Sequence, residues 1–283
     1  MKQIVVISGK GGTGKTVLSG SLAALANNKI MVDCDVDAAD LHLLLHPKVK
    51  ERHEFKSGQT ALIDRKLCKR CGKCIPVCRF GAIKDDFTIE RFSCEGCGLC
   101  SLICPHKAIR MEEDVAGEWF VSDTQYGPFV HAKLGIAEEN SGKLVAKIRQ
   151  IAKEIAEKKA LDYVIIDGPP GIGCPVIASL SGVDCALIVT EPTLSGLHDA
   201  QRVREVAKHF NISVNLVVNK YDLNLGIAEK IEAFCREQGI PVLGRIAFDK
   251  KIVEALVKGK TVVEHISSPV AEEIKNIWEQ LKS

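Results

Sequence analysis

The sequence predicts an α/β fold in which a mostly parallel sheet is flanked by helices and carries a small inserted α+β unit. Three observations predict it. Short apolar runs alternate with helix-patterned stretches at both ends of the chain, a glycine loop joins the first run to the first helix, and a cysteine-rich block of different composition interrupts the alternation.

Taken in order, KQIVVIS at the N-terminus is an apolar run suited to a buried parallel strand. GKGGTGKT follows, then VLSGSLAALANN, whose alanines and leucines suit a helix. KIMVD is the second strand and runs into the acidic cluster Asp33, Asp35, Asp37 and Asp40. After the cysteine block, SGKLVAKIRQIAKEIAEKKA has the apolar spacing of a long amphipathic helix with Ser141 as its N-cap. DYVIID, DCALIVT, ISVNLVVN and IPVLGRI are strands, each followed by a helical segment. The terminal VAEEIKNIWEQLKS mixes acids with lysines, so it is expected to dock on the sheet and not to act as a basic membrane anchor.

The chain has 283 residues, 46% hydrophobic and 26% charged, enough for one sizeable core plus a small unit. A net charge of +2 gives no electrostatic case for nucleic acid. The N-terminus reaches its glycine loop too soon to hold a secretion signal, and no run approaches the ~20 apolar residues that span a bilayer. The expectation is a soluble cytoplasmic protein without stable membrane insertion. In that reducing setting twelve cysteines, eight of them between Cys68 and Cys104, point to metal and not to disulfides.

The cysteine block occupies residues 58–113, between a first part, 1–57, and a second, 114–283, of the nucleotide-binding domain. It is an internal repeat: LCKRCGKCIPVCRFGAIK and SCEGCGLCSLICPHKAIR align at a shift of 26 residues, which also superposes Gly72 on Gly98, Ala82 on Ala108 and Ile83 on Ile109. It is expected as a surface excursion that leaves the main sheet intact. Each copy reads C-x2-C-x2-C-x3-C, close enough for a short loop to wrap one iron–sulfur cubane, whereas zinc sites favour two separated pairs. The block resembles the bacterial two-cluster ferredoxins; Pro105 follows the second quartet as in that family, while Arg79 stands where the first proline would be. In such runs the fourth cysteine ligates the other cluster. The resemblance therefore implies two 4Fe–4S clusters, one on Cys68, Cys71, Cys74 and Cys104, the other on Cys78, Cys94, Cys97 and Cys100.

GKGGTGKT satisfies G-x-x-x-x-G-K-[ST] between a strand and a helix, the setting in which backbone amides cradle phosphates. Gly11, Gly12, Thr13, Gly14, Lys15, Thr16 and Val17 form the expected cradle, with Lys15 on the β- and γ-oxygens and Thr16 on Mg²⁺. Lys10 is an extra lysine in the loop. KGGTGKT, VDCDVDAAD, IIDGPPG and NKYD together resemble the deviant phosphate-loop superfamily of MinD/ParA, Mrp and the nitrogenase iron protein, and the arrangement resembles its members with an inserted ferredoxin domain.

That resemblance implies a nucleotide-switched homodimer, or a heterodimer with a similar ATPase, in which Lys10 reaches the partner's nucleotide. It implies Asp35 orienting the attacking water, Thr16, Asp35 and Asp167 around Mg²⁺, Gly171 bringing a switch backbone to the γ-phosphate, and Asn219 contacting the base. NKYD also matches the guanine-reading N-K-x-D pattern, so ATP is expected and Asp222 keeps GTP open. Cys174 lies at the offset of a cluster-ligating cysteine in the nitrogenase iron protein; an interface thiol and a small packed residue at a helix start are its two readings. Cys34, Cys185 and Cys235 lie in strand- or helix-like runs and are expected in the core. His131, Glu138, Glu139 and Asn140 are expected around a strand-to-helix turn without chemistry.

The combination implies an ATPase whose nucleotide state gates electron delivery during assembly of a metal cofactor on a partner, with a metalloprotein client and a redox donor. Two further readings stand beside it: a cluster carrier or scaffold that uses ATP to dock and release its client, and a positioning ATPase of the MinD/ParA kind.

Overall fold

The computed structural model describes residues 1–135, 141–265 and 267–283. Glu138, Glu139 and Asn140 lie outside the described residues. The strands are β1 (Lys2–Ser8), β2 (Lys29–Asp33), β3 (Lys48–Ile63), β4 (Ile109–Thr124), β5 (Gly127–Leu134), β6 (Tyr163–Pro170), β7 (Cys185–Thr190), β8 (Ser213–Asn219) and β9 (Val242–Ile246). The helices are α1 (Lys15–Leu25), α2 (His42–Leu45), α3 (Cys74–Val77), α4 (Leu99–Ile103), α5 (Ser141–Lys158), α6 (Cys174–Leu180), α7 (Leu194–His209), α8 (Leu225–Glu237), α9 (Lys250–Val257), α10 (Val262–His265) and α11 (Pro269–Lys282). The described residues form two compact units: 1–53, 119–133, 141–265 and 267–283, and 54–118 with 134 and 135.

The nine strands follow the order β3-β4-β5-β2-β6-β1-β7-β8-β9. From β5 through β9 every recorded pairing is parallel, the arrangement that alternating strands and helices require. β4 and β5 are neighbours joined by two residues, too short for a crossover, and so run antiparallel. The middle strands are buried on both faces: Ile4, Val5, Val6 and Ile7 of β1 and Ala186, Leu187 and Ile188 of β7 are fully inaccessible. Helix α11 closes one side. Its Ile274, Ile277, Trp278 and Leu281 join the main apolar cluster, and Trp278 meets Tyr163 edge-on at 5.2 Å.

The sheet differs from expectation at one edge. The parallel strands are uninterrupted, yet β3 and β4 belong to the same sheet, each contributing residues to both units. β3 escapes a pattern search because its first seven residues are all exposed and carry no apolar alternation, and β4 because Glu112, Glu113 and Asp114 interrupt its apolar positions. Charged residues are the usual device for blunting a sheet edge.

One local expectation is corrected. His131 is not at a turn: it lies within β5, opposite Asp33 of β2, with its ring stacked on Phe120 and Phe129 and Ser122 Oγ 3.2 Å from Nε2. Burial, with His42 nearby, holds its pKa down to about 4. Ser141 stands at the start of α5.

The second unit is built as the repeat implies. Asp64 N–H donates to Ala108 O (2.7 Å) and Glu90 N–H to Ala82 O (2.8 Å). Asp64 and Glu90 are related by the 26-residue shift, as are Ala82 and Ala108, so each copy bonds to the other through equivalent atoms. Ala61, Cys74, Ile83, Cys100 and Ile109 form its small buried cluster.

Candidate functional site

The glycine loop leaves β1 at Ser8 and enters α1 at Lys15. Gly14 takes φ of +91°, and a Cβ there would stand 2.4 Å from Asn219 Nδ2, so both the turn and the close approach require glycine. At Gly9 a Cβ would stand 2.2 Å from the Asp199 Cβ. A cavity of about 600 Å³ opens over the loop, lined on one side by Gly11, Gly12, Gly14, Lys15, Thr16 and Val17. Its other walls bring Asp35, Asp37 and Asp40 together with Pro169, Pro170 and the apolar side chains of Leu43, Leu44 and Leu256. Thr13 is buried beneath the loop, and its Oγ1 has no hydrogen-bond partner.

Carboxylates converge at the strand ends. Asp33 and Asp167 are in register on β2 and β6, and both are buried. Ser19 Oγ donates to Asp167 Oδ1 at 2.7 Å, while Asp167 Oδ2 is buried without a hydrogen-bond partner. Asp33 accepts from the Asp35 and Leu41 amides at 3.1 and 3.2 Å. Burial first, then repulsion from Asp167, raises the Asp33 pKa well above the carboxylate range; burial likewise raises Asp167, against the pull of Lys15 and Ser19. Asp35 is pushed up to about 6 by burial, with Lys15 opposing. An orphan carboxylate oxygen among repelling acids beside a phosphate loop fits a divalent cation.

Other expected residues lie off this cavity. Lys10 Nζ sits 3.3 Å from Thr193 Oγ1, 3.4 Å from Ser195 Oγ and 3.5 Å from Glu191 Oε2, folded back on its own chain. Asn219 is buried and donates from Nδ2 to Thr13 O at 2.8 Å, so its amide fastens the loop. Asp222 Oδ1 accepts from the Phe248 amide at 2.7 Å. Gly171 takes φ of +92° and donates its N–H to Ser8 O at 2.9 Å. Cys174 opens α6 and is exposed, which corrects its reading as a packed residue; Cys34, Cys185 and Cys235 are buried.

In the second unit the eight thiols divide between two cavities. Cys68, Cys71, Cys74 and Cys104 line one, with Ile63, Phe87 and Ile109; Cys78, Cys94, Cys97 and Cys100 line the other, with Ala61, Ile83, Ile89 and Met111. All eight are free thiols. The fourth cysteine of each copy is thus exchanged, by the same two-fold relation seen in the backbone. Among the described residues no three or more His, Cys, Asp or Glu gather closely enough to hold one bare metal ion. A cubane asks for something different, since each thiolate binds its own iron atom. Mg²⁺ also needs few protein ligands, because water and phosphate fill the rest of its octahedron.

Residues 4–262 match the CobQ/CobB/MinD/ParA nucleotide binding domain model. The chain belongs to the MinD/ParA nucleotide-binding family. It is similar over 99% of its length to an uncharacterised protein of Methanocaldococcus jannaschii, 38% identical across 96% of that protein. The septum site-determining protein MinD of Bacillus subtilis is 26% identical over 92% of this chain and 81% of its own. An iron-sulfur cluster carrier protein of M. jannaschii is 30% identical over 49% of this chain and 52% of its own. The fold matches the septum site-determining protein MinD of Pyrococcus horikoshii, solved with Mg-ADP, at a TM-score of 0.60 and 20% identity over 99% and 95% of the two chains.

As a MinD/ParA-family ATPase, the chain uses several residues that motif reading passed over. Ser19, one turn beyond Thr16, holds Asp167 in place. Glu191 ends the β7 run and takes both Lys10 and Lys220, the latter at 2.5 Å. An acid directly after an apolar strand was the available signal for Glu191; nothing in the sequence pairs it with either lysine.

Proposed function

We propose that this ATPase is a nucleotide-switched dimer that couples ATP to electron transfer through two 4Fe–4S clusters, in the assembly of a metal cofactor on a partner protein. The convergence of eight free thiols on two apolar cavities, four to each, is the observation that carries the reading. Cys68, Cys71, Cys74 and Cys104 would hold one cluster, and Cys78, Cys94, Cys97 and Cys100 the other. The clusters would supply one-electron chemistry at low potential. The inserted unit is read as ferredoxin-like on the same grounds.

In the first unit, loop amides from Gly11 to Val17 would bind phosphate and Lys15 would neutralise it, while Thr16, Asp35 and Asp167 would hold Mg²⁺, which would supply charge neutralisation at the phosphates. Asp35 orients the attacking water. Lys10 leaves Glu191 to reach a partner's nucleotide, and Asn219 turns between the loop and the base. ATP is favoured over GTP because Asp222, the residue a guanine would need, is engaged by the Phe248 amide. A metalloprotein client and a redox donor complete the reading, and the exposed Cys174 is a thiol available at an interface.

The test is iron and sulfide content after anaerobic purification, followed by redox titration without nucleotide, with Mg-ADP and with a non-hydrolysable Mg-ATP analogue. About eight iron atoms per chain and a potential shift with the ATP analogue are expected. Zinc in place of iron would overturn the cluster reading.

A second reading is a positioning ATPase, and a specific observation favours it: relatives matched along nearly the whole chain include septum site-determining MinD, whereas the iron-sulfur carrier matches only about half. Cys71→Ser with Cys97→Ser separates the two. A positioning protein keeps its ATPase cycle and partner binding in that variant, whereas a redox device loses partner-linked electron transfer.

A further inference from the structure

The two copies of the cysteine repeat share their thiols but not their surfaces. Under the 26-residue shift Lys69 corresponds to Glu95, Arg70 to Gly96, Lys73 to Leu99 and Arg79 to Pro105. Residues 67–84 carry five cations (Lys69, Arg70, Lys73, Arg79, Lys84) and no acid, while residues 93–110 carry Lys107, Arg110 and Glu95. The formal charges are therefore +5 and +1.

The difference reaches the cavity rims. Lys69, Lys73 and His106 line the cavity of Cys68, Cys71, Cys74 and Cys104. The Arg70 guanidinium lies 5.9 Å from the ring of Phe87, which lines it too. Lys69, Arg70 and Lys73 are exposed, and none has an acidic partner among the described residues. The second cavity has no lysine or arginine; Glu95, Phe80 and Leu99 stand at its edge. Three uncompensated cations within five residues repel one another. The fold does not require them, since the second copy closes the same kind of cavity with an acid and a leucine in the corresponding places.

We infer that the rim formed by Lys69, Arg70 and Lys73 is the docking face for a small acidic one-electron carrier protein. Charge complementarity selects such a partner and speeds its encounter. The redox half of this inference rests on the iron–sulfur reading above; the docking half rests on the cations alone. With a cluster held by Cys68, Cys71, Cys74 and Cys104, one electron would pass to it from the reduced carrier, the carrier being oxidised by one and the cluster reduced by one, with no bond or proton moved.

The experiment uses the full chain purified anaerobically, with iron measured on every sample. A small acidic 2Fe–2S ferredoxin is the probe, and a basic cytochrome c and a single-stranded RNA are the comparisons. Affinity for the acidic probe should fall at least tenfold between about 20 and 200 mM salt, as screening shortens the reach of surface charge. It should fall by a similar factor in Lys69→Glu with Lys73→Glu, and by less in Lys69→Gln with Lys73→Gln. Lys147→Glu, on α5, should leave it unchanged. Affinity indifferent to salt and to both double substitutions, with iron retained, would overturn the docking face. Equal binding of the basic protein, or tighter binding of RNA, would overturn the acidic-protein assignment. Charge-dependent docking by a protein without iron would uphold the face and overturn its redox role. If both double variants lose iron, the salt series on the unaltered protein decides.

Discussion

At Asp35 burial and a neighbouring cation pull in opposite directions, and burial prevails, leaving the pKa at about 6. An ordinary aspartate titrates near 3.9. If Asp35 acts ionised, hydrolysis should lose rate as pH falls through about 6, which a kcat/KM profile would show; an acid limb near 4 would count against its role. The linkage sign follows from the raised value. The folded chain holds the proton more tightly than the unfolded one, so this contribution to stability is present below about 4 and lost as pH rises through 6. Without nucleotide, the Tm should therefore decline over that window, and Mg-nucleotide should raise it more at pH 8 than at pH 5. Asp35→Asn should bind ADP normally while losing at least 100-fold in hydrolysis. Ser19→Ala removes a buried hydrogen bond to the Asp167 carboxylate and should cost about 2 kcal/mol, read by urea unfolding. Asp35 was legible through the resemblance carried by VDCDVDAAD; Ser19 was not, because a serine inside a helix has no pattern that marks it.

Among the elements, the β1–α1 connection works only because glycine stands at position 14. Gly14→Ala would put a Cβ at positive φ against the Asn219 amide, and displacing that amide releases the Thr13 carbonyl that fastens the loop. Calorimetry should find nucleotide affinity lost by tenfold or more while the fold survives. At the opposite end of the chain, α11 is held by burial. Trp278→Ala removes a side chain packed on Tyr163 and should destabilise by about 3–5 kcal/mol in denaturant titration. Helices and central strands were readable because burial on one face, or on two, imposes a period or an apolar run. Strands β3 and β4 were not. The exposed first part of the edge strand β3 is free to carry charge, and Glu112, Glu113 and Asp114 interrupt the apolar positions of β4, so the signal that marks a strand is missing.

For the molecule as a whole, the two units rest on unequal cores. The first has a continuous apolar sheet interior, whereas the second buries Ala61, Ile83 and Ile109 with two of its own cysteines. A unit of that size has little apolar surface to bury, and bound metal is a usual remedy. Treatment with an iron chelator should accordingly raise amide exchange throughout residues 54–118 while Mg-nucleotide binding by the first unit persists. Uniform protection before and after chelation would mean that this fold stands without metal. The sequence by itself determined the alternating α/β framework, the phosphate loop and the repeat, because each is written as local spacing: apolar period, glycine placement, cysteine interval. The resemblance to two-cluster ferredoxins had already implied how the eight thiols divide; only the tertiary structure decided that Asp33 and Asp167 meet across neighbouring strands and that Glu191 holds both Lys10 and Lys220. Those are contacts between residues far apart in the chain, and their energies depend on distance and burial, which spacing along a sequence does not record.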